Sequence, residues 1–392
     1  MIRRDIGLLW HSDRSGNLGV GALTVGNIAL VREVAAGLGI DPHFVILGFN
    51  DAGVPYVNDD RVRFEPFSTR SALAFARTIG RMDAVLDIGA GDSFTDLYPA
   101  KRLAWIVLSK VAAIAQRVPL VFSPQTIGPF TGGTAAKRRL GALARWTMRR
   151  ARAVVVRDDR SRDAVRAMVP GVEPVYSVDV AFALPWTPLP PVPGKRRIGL
   201  NVSGLLWRGG YTGRGEFDLG YDYKALMEGV IEALLADDSV SVELIAHVRG
   251  GPGSPDDDGS LADELKARWP ALVRVPDFAS PSAAKSHIAG LDALVGARMH
   301  ACIAAFSSGV AVVPVSYSRK FEGLFGSLGY TRLVPHRGMD TAAARALVLD
   351  ALAVTPRIRE EVTAALTHVD ARLEAYRAVL RDLFTARVTA ER

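Results

Sequence analysis

The chain has 392 residues, 49% of them hydrophobic and 23% charged, with a formal net charge of +7 and one cysteine. That length exceeds one ordinary core and suits two domains, and the composition is that of a packed soluble protein rather than a disordered chain. A single cysteine, Cys302, rules out a disulfide framework and a Cys-based zinc site and fits a reducing compartment, while the positive charge suits an anionic partner without choosing one.

In chain order, short β-branched runs alternate with Ala- and Arg-rich helical segments, the pattern of parallel strands joined by crossover helices. The predicted strands of the first half are Ile6 to Trp10, Phe44 to Gly48, Ala84 to Ile88, Leu120 to Ser123 and Ala153 to Arg157. Only Ile6 to Trp10 is apolar near the N-terminus, too short for a secretory signal. Five prolines in Pro185 to Arg197 predict a stiff, extended linker. Strands resume at Ile198 to Val202, Val240 to His247, Ala293 to Gly296 and Ala311 to Ser316, and a long helical pattern closes the chain. The expected domains are 1–186 and 198–354, both Rossmann-like, around a linker at 187–197, with a helix at 355–392 that crosses back to the first domain. The uncharged window from Met299 to Ser318 contains Pro314 and Gly309 and reads as helix, turn and strand rather than a membrane span. A cytoplasmic protein is expected.

Ligands of open α/β sheets sit at the carboxyl ends of strands, so residues just after strands are the candidates. In GARMHA, Arg298 and His300 fall where a helix exposes its first amides, with Arg298 suited to an oxyanion and His300 to proton transfer near neutral pH. Capping of that helix and a satisfied core histidine is the alternative. Lys320 follows the next strand and adds a cation. Arg157 offers a guanidinium from the first domain, or else an ion pair with Asp158 or Asp159. Gly89, Gly91 and Asp92 form a tight loop in DIGAGDS where backbone amides can approach a ligand. His247 closes a strand, and the following GGPGSPDDDG reads as a solvated lid, its aspartates lacking the spacing of a calcium loop. SGNLGVG departs from the dinucleotide fingerprint and no GxxxxGK[ST] occurs, which argues against a nicotinamide cofactor and a Walker-type ATPase.

Thr134 to Arg152 carries seven basic residues and no acid. It is either a crossover helix with a basic outer face or a surface for an anionic membrane or lipid diphosphate. No nucleic-acid reading module accompanies the charge.

The ordered loops GNLGVGAL, DIGAGDSFTD, SPQTIGPF, VVVRDDRS, SVDVAFAL, GLNVSG and VGARMHACIAAFSSGVAVVPVSYSRKFEGLFGSLG resemble the polysaccharide pyruvyl transferase family nearly end to end. The last block is the most specific. Where the family usually has Gly-Asp near the N-terminus, this chain has Gly19-Val20, so the acidic contact expected there is missing. The resemblance implies a GT-B-like pair of domains facing across a cleft and transfer of pyruvate from phosphoenolpyruvate to two hydroxyls of a sugar in a polysaccharide or its lipid-linked precursor, giving a ketal and phosphate. It implies catalysis by His300, Arg298 and Lys320, and donor binding by Arg157, Arg298, Gly89, Gly91, Asp92, Ser123 and Gln125. Asn17, His247 and Tyr317 are the acceptor-side candidates. Neither metal nor redox cofactor is implied. A nucleotide-sugar glycosyltransferase and a non-catalytic glycan- or lipid-carrier-binding protein are the alternatives.

Overall fold

A computed structural model describes residues 1–190, 192–251 and 253–388, apart from the side chains of residues 319, 320, 387 and 388. The chain forms two compact units: Met1–Ser15, Leu23–Ala183 and Val369–Arg392 make the first, Gly16–Ala22 and Leu184–His368 the second.

The first unit is built on β1 (Ile2–Leu9), β2 (Ile40–Gly48), β3 (Val62–Pro66), β4 (Ala84–Asp87), β5 (Leu120–Gln125), β6 (Ala153–Val156) and β7 (Val175–Tyr176). They form one parallel sheet in the order β3-β2-β1-β4-β5-β6-β7. Helices α1 (Leu18–Gly37), α2 (Ala72–Gly80), α3 (Ala100–Ala115), α4 (Ala135–Arg150) and α5 (Asp159–Met168) make the crossovers. A core of Leu9, Val45, Val85, Phe122 and Val156 from the strands meets Ile79, Ile106, Met148 and Val165 from α2 to α5. The central strands are buried on both faces, so they are apolar throughout rather than alternating.

The second unit is a five-stranded parallel sheet of β8 (Arg196–Asn201), β9 (Val240–Leu244), β10 (Val273–Arg274), β11 (Ala293–Gly296) and β12 (Ala311–Pro314), in the order β10-β9-β8-β11-β12. Its helices are α6 (Gly204–Trp207), α7 (Tyr223–Leu235), α8 (Asp258–Arg268), α9 (Pro281–Ile288), α10 (Met299–Ser307), α11 (Arg319–Ser327) and α12 (Thr341–Ala353). The order of each sheet reverses once, between β1 and β4 in the first and between β8 and β11 in the second. Chain leaving the carboxyl ends of such neighbours diverges to opposite faces and leaves a crevice, the usual ligand position in this architecture.

Several boundaries differ from those expected. Gly16–Ala22 groups with the second unit, because Leu18 N donates to His247 O (3.1 Å) and Arg249 N to Gly16 O (2.9 Å). The proline-rich segment joins the second unit from Leu184 onward, with Thr187 N bonded to Ser286 Oγ at 3.0 Å; Pro191 lies outside the described residues. The last helix, α13 (Thr355–Val388), belongs to the second unit up to His368 and to the first from Val369. The predicted strands reappear with shifted ends, whereas β3, β7 and β10 were not anticipated from the sequence.

Tyr376 of α13 fastens the helix to the first unit through a buried ring of neutral groups. Its hydroxyl donates to Asn27 Oδ1 (2.9 Å) and is 2.8 Å from Ser123 Oγ, while Asn27 Nδ2 donates to Ser123 Oγ (3.2 Å) and to His11 Nε2 (3.0 Å). His11 Nδ1 faces Leu9 O at 3.1 Å, so the neutral tautomer with its proton on Nδ1 satisfies both ring nitrogens. Burial holds that imidazole at about 3. One helix, α1, is long and apolar enough to cross a membrane by length and composition, but most of that stretch is buried within the protein.

Tyr376→Phe leaves Asn27 and Ser123 buried with one partner fewer, an expected cost of about 1–3 kcal/mol. A lowered midpoint in thermal unfolding followed by circular dichroism checks it, and no change would mean that the ring adds nothing to stability.

Candidate active site

In the second unit the turn between β11 and α10 sits at the reversal of strand order, beside the end of β8. Arg298 is the residue before α10. Its backbone N donates to Asn201 Oδ1 at 2.8 Å, and Asn201 Nδ2 in turn reaches Ile245 O at 2.8 Å, which ties the ends of β8, β9 and β11 together. Its side chain is 9% exposed and turned inward. Arg298 Nη2 lies 2.7 Å from Asp258 Oδ1 and 2.7 Å from Asp256 Oδ1, and Nε is 3.2 Å from both Asp258 oxygens. Burial works against the cation, but Asp258 and then Asp256 outweigh it and raise the guanidinium above its ordinary value.

Asp258 is 1% exposed and accepts from three chain segments. Besides Arg298 these are Gly204 N (3.0 Å), His247 N (3.2 Å) and Val248 N (3.1 Å). The expected solvated lid is therefore corrected. Asp257 caps α8 through Ser260 N (3.0 Å), which puts Asp258 in the first helical turn, facing inward. Three consecutive aspartates carry no mark in the sequence that distinguishes the cap from the buried carboxylate.

His300, the second residue of α10, is half-buried next to Gly19. A Cβ at Gly19 would lie 2.9 Å from His300 Cγ and closer still to Nδ1, so only glycine lets the segment pass. Asn17 shapes that segment, its Oδ1 accepting from Gly19 N at 2.9 Å. His247 is 2% exposed and held at about 3, first by burial and then by its neighbours His300 and Arg298. At neutral pH it is an uncharged neighbour of His300. Tyr317, after β12, stacks edge-on against Phe217 (5.2 Å) and Phe321 (5.3 Å). Lys320 is in the first turn of α11, but its side chain lies outside the described residues.

The starts of α10 and α11 differ from those of α6, α7, α8, α9 and α12. Those five begin on Ser203, Asp222, Asp257, Ser280 and Asp340, each accepting a hydrogen bond from a first-turn amide. At α10 and α11 the capping positions are Arg298 and Ser318, and neither side chain caps. Two helices after adjacent strands thus begin without a side-chain acceptor, and open first-turn amides favour an anion.

In the first unit, the corresponding reversal holds Gly89, Ala90 and Gly91, three successive residues with φ of 52°, 50° and 87°. Gln125 lies beneath them, fully buried, donating from Nε2 to Asp87 O (2.8 Å) and Asp87 Oδ2 (2.9 Å). Asp87 in turn pairs with Lys110 at 2.7 Å, both fully buried; burial lowers the Lys110 value and Asp87 opposes that shift. Arg157 is 4% exposed; its Nη1 is bonded to Asp179 and its Nε donates to Thr126 Oγ1 at 3.1 Å. Asp92 accepts from Tyr98 OH at 3.2 Å.

Four of the expected site residues have partners within the protein. Arg157 and Arg298 do not offer uncompensated charge, since Asp179 pairs the first and Asp258 with Asp256 the second. A buried guanidinium without a carboxylate would bear a desolvation penalty of several kcal/mol, and the fold removes it locally. The partner of Arg157 is Asp179 rather than Asp158, which caps α5, or Asp159, which pairs with Arg162. Ser123 belongs to the Tyr376 ring and Gln125 supports the Gly89 turn, so both act from beneath the surface. Asp258, Asp179 and Asn201 were not expected from the sequence, although SVDVAFAL and GLNVSG contain two of them. Among the described residues no group of three or more His, Cys, Asp or Glu side chains is arranged to hold a metal.

Two parallel sheets with this strand order and a closing helix define a GT-B-type fold, and solved structures agree. A protein from Listeria monocytogenes assigned as a UDP-N-acetylglucosamine 2-epimerase superposes with a TM-score of 0.57 at 11% identity, covering 92% of this chain and 91% of its own. An α,α-trehalose 6-phosphate synthase from Burkholderia multivorans gives 0.54 at 13% identity over 100% and 99%. The UDP-GlcNAc 2-epimerase of Neisseria meningitidis, bound to UDP-GlcNAc, gives 0.53 at 9% over 94% and 100%. At these identities the likeness concerns the fold alone. No curated relative matches the sequence. The family model for polysaccharide pyruvyl transferase matches residues 26–319, and the chain belongs to that family of transferase enzymes. Arg157, Asp179, Asp258, Arg298 and His300 fall inside the matched span, Asn17, Gly19 and Lys320 outside it.

Arg298→Ala strands Asp258 as a buried carboxylate, and a stability loss of about 3–5 kcal/mol is expected, read as a lowered midpoint in urea or heat. Arg298→Lys, which keeps the charge, should recover part of it. Stability should also fall with acid. His11 and His247 stay neutral in the folded state down to about 3 but take up protons near 6.5 once unfolded, so the unfolded chain binds more protons between those values. The contribution is whole above 6.5 and is lost as pH falls toward 3. His247→Asn should flatten that part of the stability profile, and an unchanged slope would show that His247 protonates freely when folded.

Proposed function

We propose that the protein transfers pyruvate from phosphoenolpyruvate to two hydroxyls of one sugar in a polysaccharide or its lipid-linked precursor, forming a cyclic ketal and releasing phosphate. The observation that carries this reading is the family match over residues 26–319, whose span contains the uncapped start of α10 and His300. Phosphoenolpyruvate brings a carboxylate and a phosphate on a three-carbon skeleton. Open amides at α10 and α11 suit such an anion better than buried guanidinium groups already paired with carboxylates. Arg298 acts from behind, fixing the turn that carries His300.

The chemistry needs a proton on the methylene carbon of the donor, then addition of one hydroxyl at the neighbouring carbon. The second hydroxyl displaces phosphate and closes the ketal, and each hydroxyl gives up its proton. His300 handles that proton traffic, a contribution of ~10²–10⁴ in rate. Its surroundings suit proton transfer, because neutral His247 on one side keeps a second positive charge away and Gly19 leaves the ring room.

Release of phosphate from phosphoenolpyruvate with pooled acceptor glycans, and pyruvate ketal found on the product, is the direct test. His300→Gln should keep donor binding by calorimetry and lower kcat by ~10²–10⁴. Near-normal kcat in that variant would remove His300 from proton transfer. Heat of binding with UDP-sugars and none with phosphoenolpyruvate would replace the donor itself.

A further inference from the structure

Helices α3 and α4 pack side by side on one face of the first sheet, and neither contains an acidic residue. In α4 the buried stripe is Gly141, Ala144, Thr147 and Met148. At 100° per residue, Arg138, Arg139, Arg145, Arg149 and Arg150 fall on the remaining face, and Trp146 points opposite Ala144 and Met148. Four of the five arginines are exposed, Arg145 and Trp146 half-buried. Trp146 is not part of the core packing that holds Leu140 and Leu143, and Arg150 lies over its ring at 5.9 Å. From α3 come exposed Lys101 and Leu108, the latter 44% exposed, and Leu97 just before it is 65% exposed. At the far end of α4, Arg117, Arg150 and Arg152 border a shallow depression of about 410 Å³ whose lining holds no carboxylate. Arg152 is paired outward with Asp382 at 2.8 Å.

We propose that this face docks the protein on the surface of an anionic phospholipid bilayer. Arginines round one tryptophan, with scattered leucines and a single exposed carboxylate, Asp382, at the edge, combine the two terms of interfacial binding: attraction to lipid phosphates and insertion of an amphipathic ring at headgroup level. Charge alone would suit an acidic protein as well; what favours the bilayer is Trp146, half-buried among the arginines and outside the core packing, while a nucleic acid would be met by a reading module or stacked aromatics, which this face lacks.

The test is flotation of the full-length protein with vesicles of phosphatidylcholine alone and of phosphatidylcholine mixed with phosphatidylglycerol. Binding is expected only with the mixed vesicles, falling as salt is raised. Arg145→Glu with Arg149→Glu should weaken partitioning at least about tenfold, and Trp146→Ala should weaken the binding that survives high salt. Unfolding midpoints of both variants, measured alongside, separate lost docking from lost fold. A reversal of surface charges that leaves flotation unchanged overturns the proposal, as does equal binding to pure phosphatidylcholine. So does tighter binding to duplex DNA of matched charge.

Discussion

The carboxylate of Asp258 is the point on which the second unit turns. It accepts from the guanidinium of Arg298 and from three backbone amides, so the ends of β8, β9 and β11 and the start of α8 are fixed relative to one another by a single buried anion. An ionised carboxylate so deeply buried is stable only with charge and hydrogen bonds to compensate it, and it has both. The geometry of the α10 turn, and with it the position of His300, is a consequence. From its place directly after a strand, Arg298 reaches Asp258 and holds that turn through it.

The first unit follows the same logic with different residues. Asp87 at the end of β4 is held by Lys110 and Gln125, Arg157 at the end of β6 by Asp179 and Thr126, and the turn at Gly89 to Gly91 rests on Gln125. In both units the crevice left by the reversal of strand order is floored by paired charges rather than lined with free ones. Parallel strands deliver their carboxyl ends to one edge, where polar side chains that cannot be hydrated must pair with each other. Among the described residues the second unit also holds the uncapped starts of α10 and α11, and the first unit the left-handed turn after β4.

Charge is distributed on a different principle outside these networks. Buried arginines are matched one by one with carboxylates, whereas the arginines of α4 are clustered without any. Since like charges on one helix face repel and lower helix stability slightly, their concentration there has a cost that packing of Ala144 and Met148 offsets.

By itself the sequence determined the fold class, through the alternation of short β-branched runs with amphipathic helices, and it put Arg157, Arg298 and His300 after strands. It also carried the family, because the ordered loops are local motifs. Short edge strands such as β7 and β10 escaped it, two residues being too few for a periodic signal. Only the tertiary structure decided which of three consecutive aspartates is buried, that Asp179 rather than Asp158 meets Arg157, that Gly16–Ala22 groups with the second unit, and that Ser123 serves Tyr376. The physical reason is common to all four: a motif specifies what a residue is able to pair with, but the partner is set by burial among segments distant in the chain, and a desolvated polar group accepts whichever complement the packing brings to it.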